Sequence, residues 1–145
     1  MAEFAFNAVQ TIPANQPIPL RTVNGCNKGY VLHREESGII TLRGIVNNPC
    51  SGFARYQALF KSNIAVPTGE TVGPIDIAIT IDGEPILTSI VEVTPAAVEE
   101  YFGAVTFANI TVPRGCCVRI AVENVTEDNV PILARNSVLD VIRTA

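Results

Sequence analysis

Ile75-Asp76-Ile77-Ala78-Ile79-Thr80-Ile81-Asp82-Gly83-Glu84-Pro85-Ile86-Leu87 decides the fold class. Isoleucine at every second position, with Asp, Ala, Thr and Asp between, is the period of a β-strand with one buried and one wet face. Asp82-Gly83 supplies the positive φ of a tight hairpin turn, so the chain is expected to double back along 86–93. The same alternation appears on both sides. Over 53–64, Ala54, Tyr56, Ala58 and Phe60 oppose Arg55, Gln57 and Lys61. Further on, Val118, Ile120 and Val122 oppose Arg119, Ala121 and Glu123.

Working outward, strands are predicted over 4–9, 20–23, 30–33, 39–46, 102–112 and 138–143. They are punctuated by Asn24-Gly25, Glu35-Glu36-Ser37-Gly38, Asn47-Asn48-Pro49 and Pro113-Arg114-Gly115. Pro13, Pro17 and Pro19 exclude a central strand between the first two. Only Pro95-Ala96-Ala97-Val98-Glu99-Glu100, with Thr94 as cap, has helical character, and it is too short for more than a turn or two. The expectation is an all-β sandwich or barrel of about eight to ten antiparallel strands without substantial helix. No linker divides the chain, so residues 1–145 form one domain, with 1–23 as a candidate edge strand or arm.

Charged residues make up 17% of the chain against 48% hydrophobic ones, below the roughly 25% charged usual in soluble domains. Many strands are apolar on both faces, which points to an exterior partly buried against copies of itself. The net charge of −4 comes with ten scattered basic residues and no basic tract, so nucleic acid is not an expected partner. Residues 1–7 lack the basic and apolar regions of a secretory signal, and no apolar run reaches the length that spans a bilayer. Cytoplasmic synthesis with no membrane partner is therefore expected. Asn109-Ile110-Thr111 and Asn124-Val125-Thr126 match the glycosylation triplet but read as plain strand residues on that basis.

No reactive constellation is evident. A nucleophilic hydrolase would have to use His33, the single imidazole, and the Gly-x-Ser-x-Gly elbow is missing. Gly69-Glu70-Thr71-Val72-Gly73 lacks the lysine and helix of a phosphate loop. Glu35-Glu36 and Glu99-Glu100 read as solvated turn acids. Asp76, Asp82, Glu84 and Asp128 are oxygen donors without EF-hand spacing. Catalytic, metal and cofactor sites are accordingly expected to be absent. Cys26, Cys50, Cys116 and Cys117 do not form a zinc pattern. Surface thiols and loop disulfides stay open for them, since cytoplasmic synthesis favours the first and an extracellular life the second.

Phe4-Ala5-Phe6-Asn7-Ala8-Val9-Gln10-Thr11-Ile12 resembles the opening of C1q/TNF-like jelly-roll domains of Firmicutes. Those domains terminate collagen-like spore-surface glycoproteins and occur in prophage-encoded virion proteins. Asn63-Ile64-Ala65-Val66-Pro67-Thr68-Gly69, Ile81-Asp82-Gly83-Glu84-Pro85 and Val112-Pro113-Arg114-Gly115-Cys116-Cys117 are similar to segments of short proteins from the same bacteria and their phages. The resemblance covers most of the chain and rests on turns. It implies a jelly roll and a homotrimer, which must form without a collagen stalk because no Gly-X-Y repeat is present. The function it implies is non-enzymatic: a virion decoration or head-fibre protein on a capsid surface. The alternatives are a carbohydrate- or receptor-binding module using loops 66–74 or 126–130, or a cell- or spore-surface filament subunit.

Overall fold

The computed structural model describes residues 2–25, 29–46, 50–115 and 117–145. Among them the chain forms twelve strands: β1 (Ala2–Phe6), β2 (Gln10–Ile12), β3 (Arg21–Asn24), β4 (Val31–His33), β5 (Ile40–Arg43), β6 (Phe53–Ala65), β7 (Ile75–Ile81), β8 (Glu84–Pro85), β9 (Val91–Val93), β10 (Phe102–Pro113), β11 (Cys117–Asn124) and β12 (Ile132–Arg143). One sheet has the order β10-β6-β12-β1-β3, with β2 also on β12; the other runs β4-β5-β11-β7-β8, with β9 also on β7.

The pairing β1·β12, β5·β11, β6·β10 and β7·β8/β9, all antiparallel, is that of one long hairpin wound back on itself. First strand meets last and the innermost strands meet each other. This is a jelly-roll β-sandwich.

The core lies between the sheets. Phe4, Tyr56, Phe60, Ile64 and Leu139 enter from the first sheet and Ile40, Leu42, Ile75, Ile77, Ile79, Ile120 and Val122 from the second. The alternation in 53–64 is realised as expected, with Ala54, Tyr56, Ala58 and Phe60 inside. The Tyr56 hydroxyl donates to the Arg43 carbonyl at 2.6 Å, giving its polar tip a partner. The Arg143 guanidinium lies 4.2 Å from the Tyr30 ring and donates to the Ile45 carbonyl.

Residues 15–18 cross from one sheet to the other. Ile18 N–H donates to the Val122 carbonyl at 2.8 Å, and Asn15 N–H to the Asn124 carbonyl at 2.8 Å. The strap passes over Gly38, where a Cβ would lie 2.6 Å from the Ile18 carbonyl oxygen. Glycine is required there by close approach.

Four local expectations are corrected. The partner of β7 is not one strand over 86–93: after β8 the chain makes a 3-10 turn at Leu87–Ser89 and rejoins as β9. Ser89 explains the break. Its hydroxyl accepts from Ile79 N–H at 3.0 Å, replacing a ladder bond with a side chain. The supposed wet face of β7 is also partly shielded, since Ala78 and Thr80 are both buried. The last strand begins at Ile132, six residues earlier than expected, and carries a bulge between Arg135 and Val138. Asn136 takes a φ of 53° there, and the buried Ser62 and Ser137 hydroxyls meet at 2.9 Å. No helix forms at 95–100; Glu99 has a φ of 56° and its N–H bonds the Val66 carbonyl. The turn Asp82-Gly83 is as expected, with both residues at positive φ.

Candidate functional site

A cavity of about 600 Å³ opens at the end of the sandwich where β7 begins and β11 ends. Its walls come from loop 70–74, the start of β7, Glu92 of β9 and residues 127–130. These include the two loops singled out from sequence.

The local chemistry explains why the walls stand where they do. Gly69, at φ 95°, lets the Glu70 N–H bond the Pro67 carbonyl at 3.2 Å and turn the first loop. The second loop is fastened by Asn124, which is fully buried. Its amide donates to the Ile12 carbonyl at 3.1 Å and the Val130 carbonyl at 2.9 Å, and its oxygen accepts from Thr126 N–H at 3.1 Å. Thr126 then binds β7: its hydroxyl accepts from Asp76 N–H at 2.9 Å. Val125 N–H donates to the Asp76 carbonyl at 3.0 Å. Asp128 and Asn129 complete the loop at φ 63° and 54°. A buried Asn124 leaves no room for a glycan, so that triplet is structural; Asn109 is exposed.

Glu70, Asp76, Glu92, Glu127 and Asp128 supply five carboxylates, with Thr71, Val72, Ile75 and Val130 between them. Among the described residues no lysine, arginine or histidine lines the cavity, so its potential is negative. Asp76 Oδ1 is buried without a hydrogen-bond partner. Burial, followed by the nearby Glu92 and Glu127 charges, raises the Asp76 carboxyl from 3.8 to about 6. The site is built to receive hydrogen-bond donors or positive charge.

Of the sequence candidates, Asp76 and Asp128 meet here, while Asp82 and Glu84 lie at the far end of β7. Among the described residues no three His, Cys, Asp or Glu side chains converge as a metal site. Glu92, across the sheet from Asp76, carries no sequence signal of its own.

His33 is committed to structure. Its side chain is 2% exposed, and its ring packs against Phe4 at 4.8 Å between centroids, tilted by 58°. Nε2 donates to the Ser37 carbonyl at 2.7 Å, and Nδ1 lies in hydrogen-bond contact with the Thr22 hydroxyl at 2.8 Å. The neighbouring acids are turn residues. Glu36 pairs with Arg21 at 2.8 Å, and hydrogen bonds from Thr22 hold the Glu35 carboxyl below its ordinary value.

Cys117 is an exposed free thiol at the start of β11, and Cys50 is exposed in the β5–β6 connection. Cys26 and Cys116 lie outside the described residues. The Cys117 end of β11 is opposite the cavity end.

A second surface feature lies on the outer face of the β10-β6-β12-β1-β3 sheet. Register places Phe107, Leu59 and Asp140 in one row, and Val105, Lys61 and Val138 in the next. Val105 is 68% exposed, Phe107 57% and Leu59 38%. The apolar surface continues round the β10 edge. There the Thr106 hydroxyl donates to the Ser89 carbonyl at 2.6 Å, and Leu87 and Ile90 flank that serine, exposed at 78% and 41%.

No family model matches the chain, and no curated protein matches it. Solved structures are similar in strand arrangement. The globular domain of zebrafish complement 1qA protein is 10% identical, covering 98% of this chain and 96% of its own, with a TM-score of 0.49. The EclA C-terminal domain, a sugar-binding protein, is 16% identical over 94% of this chain and 78% of its own, with a TM-score of 0.43. The CBM22-1 xylan-binding domain of Paenibacillus barcinonensis Xyn10C is 9% identical over 99% and 87%, with a TM-score of 0.37. At these identities the likeness is confined to the fold.

Proposed function

We propose that the protein is a non-enzymatic structural subunit that assembles as a homotrimer through the outer face of the β10-β6-β12-β1-β3 sheet. The carrying observation is the apolar surface formed by Leu59, Val105 and Phe107 and continued round the edge by Leu87 and Ile90. Such exposed apolar side chains, grouped on one face and its edge, mark an interaction surface, and a face meeting an edge is a head-to-tail contact, which closes a ring where the rotation between copies closes. The low charged fraction supports the same reading. Its place is the surface of a virion, as a capsid decoration or fibre knob, with a bacterial cell or spore surface as the alternative setting. Size-exclusion chromatography with light scattering tests the assembly: a trimer at micromolar concentration is expected, and a stable monomer refutes it. Co-sedimentation with capsids tests the setting.

A second reading is favoured by the cavity: ligand binding, such as to a surface glycan, through loops 70–74 and 127–130. A glycan array with Asp76→Asn and Asp128→Asn controls tests it. Binding lost in the variants supports this reading, and a blank array removes it.

A further inference from the structure

Asp76 and Glu92 stand directly opposite each other on β7 and β9. The backbone shows which kind of pair this is. Asp76 N–H and C=O both point to the 125–126 segment, away from β9. Ile79, three residues on, points its N–H and C=O toward Ser89 and Ile86 instead. Odd-numbered residues of β7 therefore bond the 86–93 side, and Asp76·Glu92 is a pair without mutual backbone bonds. In such pairs opposing side chains come closest, and like charges there push the strands apart.

The strand that bears this repulsion is poorly held. β9 has three residues at the sheet edge, and only Ile75·Val93 and Ile77·Val91 flank the acidic pair on β7. Charged groups facing Asp76 from the neighbouring elements are Glu92 on β9, Glu127 and Asp128 on the 125–130 loop, and Glu70 on loop 70–74. All are acids. Among the described residues nothing cationic on the cavity wall offsets them, and Asp76 Oδ1 is buried without a hydrogen-bond partner.

We propose that Asp76 is a proton-operated latch set against Glu92 and Glu127: a proton on its carboxyl holds β9 against β7 and narrows the cavity, and its loss releases β9. The raised Asp76 carboxyl agrees with a latch that works near pH 6. Release costs the fold little, because β8 and the Ser89–Ile79 bonds keep the rest of this sheet edge in place. The latch is built from residues of one protomer.

Amide hydrogen exchange on the full chain, corrected for the intrinsic effect of pH, tests it. Protection of the Val91 and Val93 amides is expected to fall at least tenfold between pH 5 and 7.5, while that of Ile120 and Val122 in β11 stays constant. Asp76→Asn, which keeps the shape and removes the charge, should hold Val91 and Val93 protected at both values. Glu92→Gln, at an exposed position, should do the same and decides the matter if Asp76→Asn folds poorly. Wild-type protection of β9 that is constant across this range overturns the latch, as does an undiminished fall in Glu92→Gln.

Discussion

Replacing Phe107 with aspartate separates assembly from folding. Phe107 is 57% exposed in the protomer and sits on the outer face beside Leu59. An aromatic side chain carries about 200 Å², so about 110 Å² would leave water in each contact. At about 25 cal/mol per Å², that surface contributes about 2.8 kcal/mol per contact. Its loss weakens association about a hundredfold, and a desolvated aspartate charge adds to the penalty. Folding should be nearly unaffected, within about 0.5 kcal/mol, because the side chain already faces solvent in one protomer. Light scattering across about 1–100 μM is the assay, with circular dichroism to confirm the fold. A folded Phe107→Asp variant that keeps the wild-type trimer mass refutes the reasoning, and it does so without appeal to misfolding.

Other perturbations probe the parts that position the cavity. Asn124→Leu leaves the Ile12 and Val130 carbonyls and the Thr126 N–H without partners; a loss of about 3 kcal/mol, lowering Tm by about 6–12 °C, is expected in thermal unfolding. Gly38→Ala drives a methyl to 2.6 Å from the Ile18 carbonyl oxygen, and chemical denaturation should register about 1–3 kcal/mol of destabilisation. Asp76 holds its proton in the folded chain to about 6 against 3.8 when unfolded, so the native state binds more protons and stability must fall as pH rises between those values. The full linkage is about 3 kcal/mol, which solvent screening of a partly exposed carboxyl reduces to about 1 kcal/mol; Asp76→Asn should flatten that slope in denaturant titrations at pH 4 and 7.

The strands were legible wherever period-two alternation was long. Residues 53–64, 75–81 and 102–112 fold almost within their predicted bounds because β-branched and aromatic residues fill them and glycine or proline turns bound them. The site was half legible. Loops 66–74 and 126–130 stood out by their glycine, proline and polar residues, and Asp76 and Asp128 as oxygen donors. Glu92 did not, for a reason of register. A two-residue turn at Asp82-Gly83 pairs Ile81 with Glu84 and Thr80 with Pro85, and continued without interruption it would set Asp76 against Ser89. The turn at Leu87–Ser89 takes up three extra residues, so Asp76 meets Glu92. That shift depends on the Ser89 hydroxyl finding Ile79, a tertiary contact that no local pattern announces. The bulge at Asn136 escaped detection similarly, because its partner Ser62 lies far away in sequence.

The cavity and the apolar face occupy different parts of the molecule, and this separation has a consequence. The cavity walls belong to β7, β9 and the loops at one end, while Leu59, Val105 and Phe107 cover the outside of the opposite sheet. Association through that face leaves the cavities uncovered. In the proposed trimer, cyclic symmetry would give the three cavities equivalent positions about the threefold axis. A ligand held only weakly by one cavity would gain avidity of about 10²–10⁴ if displayed in multiple copies, provided its spacing matches. Phe107→Asp should abolish that gain while leaving single-site affinity unchanged, whereas Asp128→Asn should weaken the site itself in monomer and trimer alike. A multivalent glycan surface read by both variants therefore distinguishes a subunit that only builds from one that also binds.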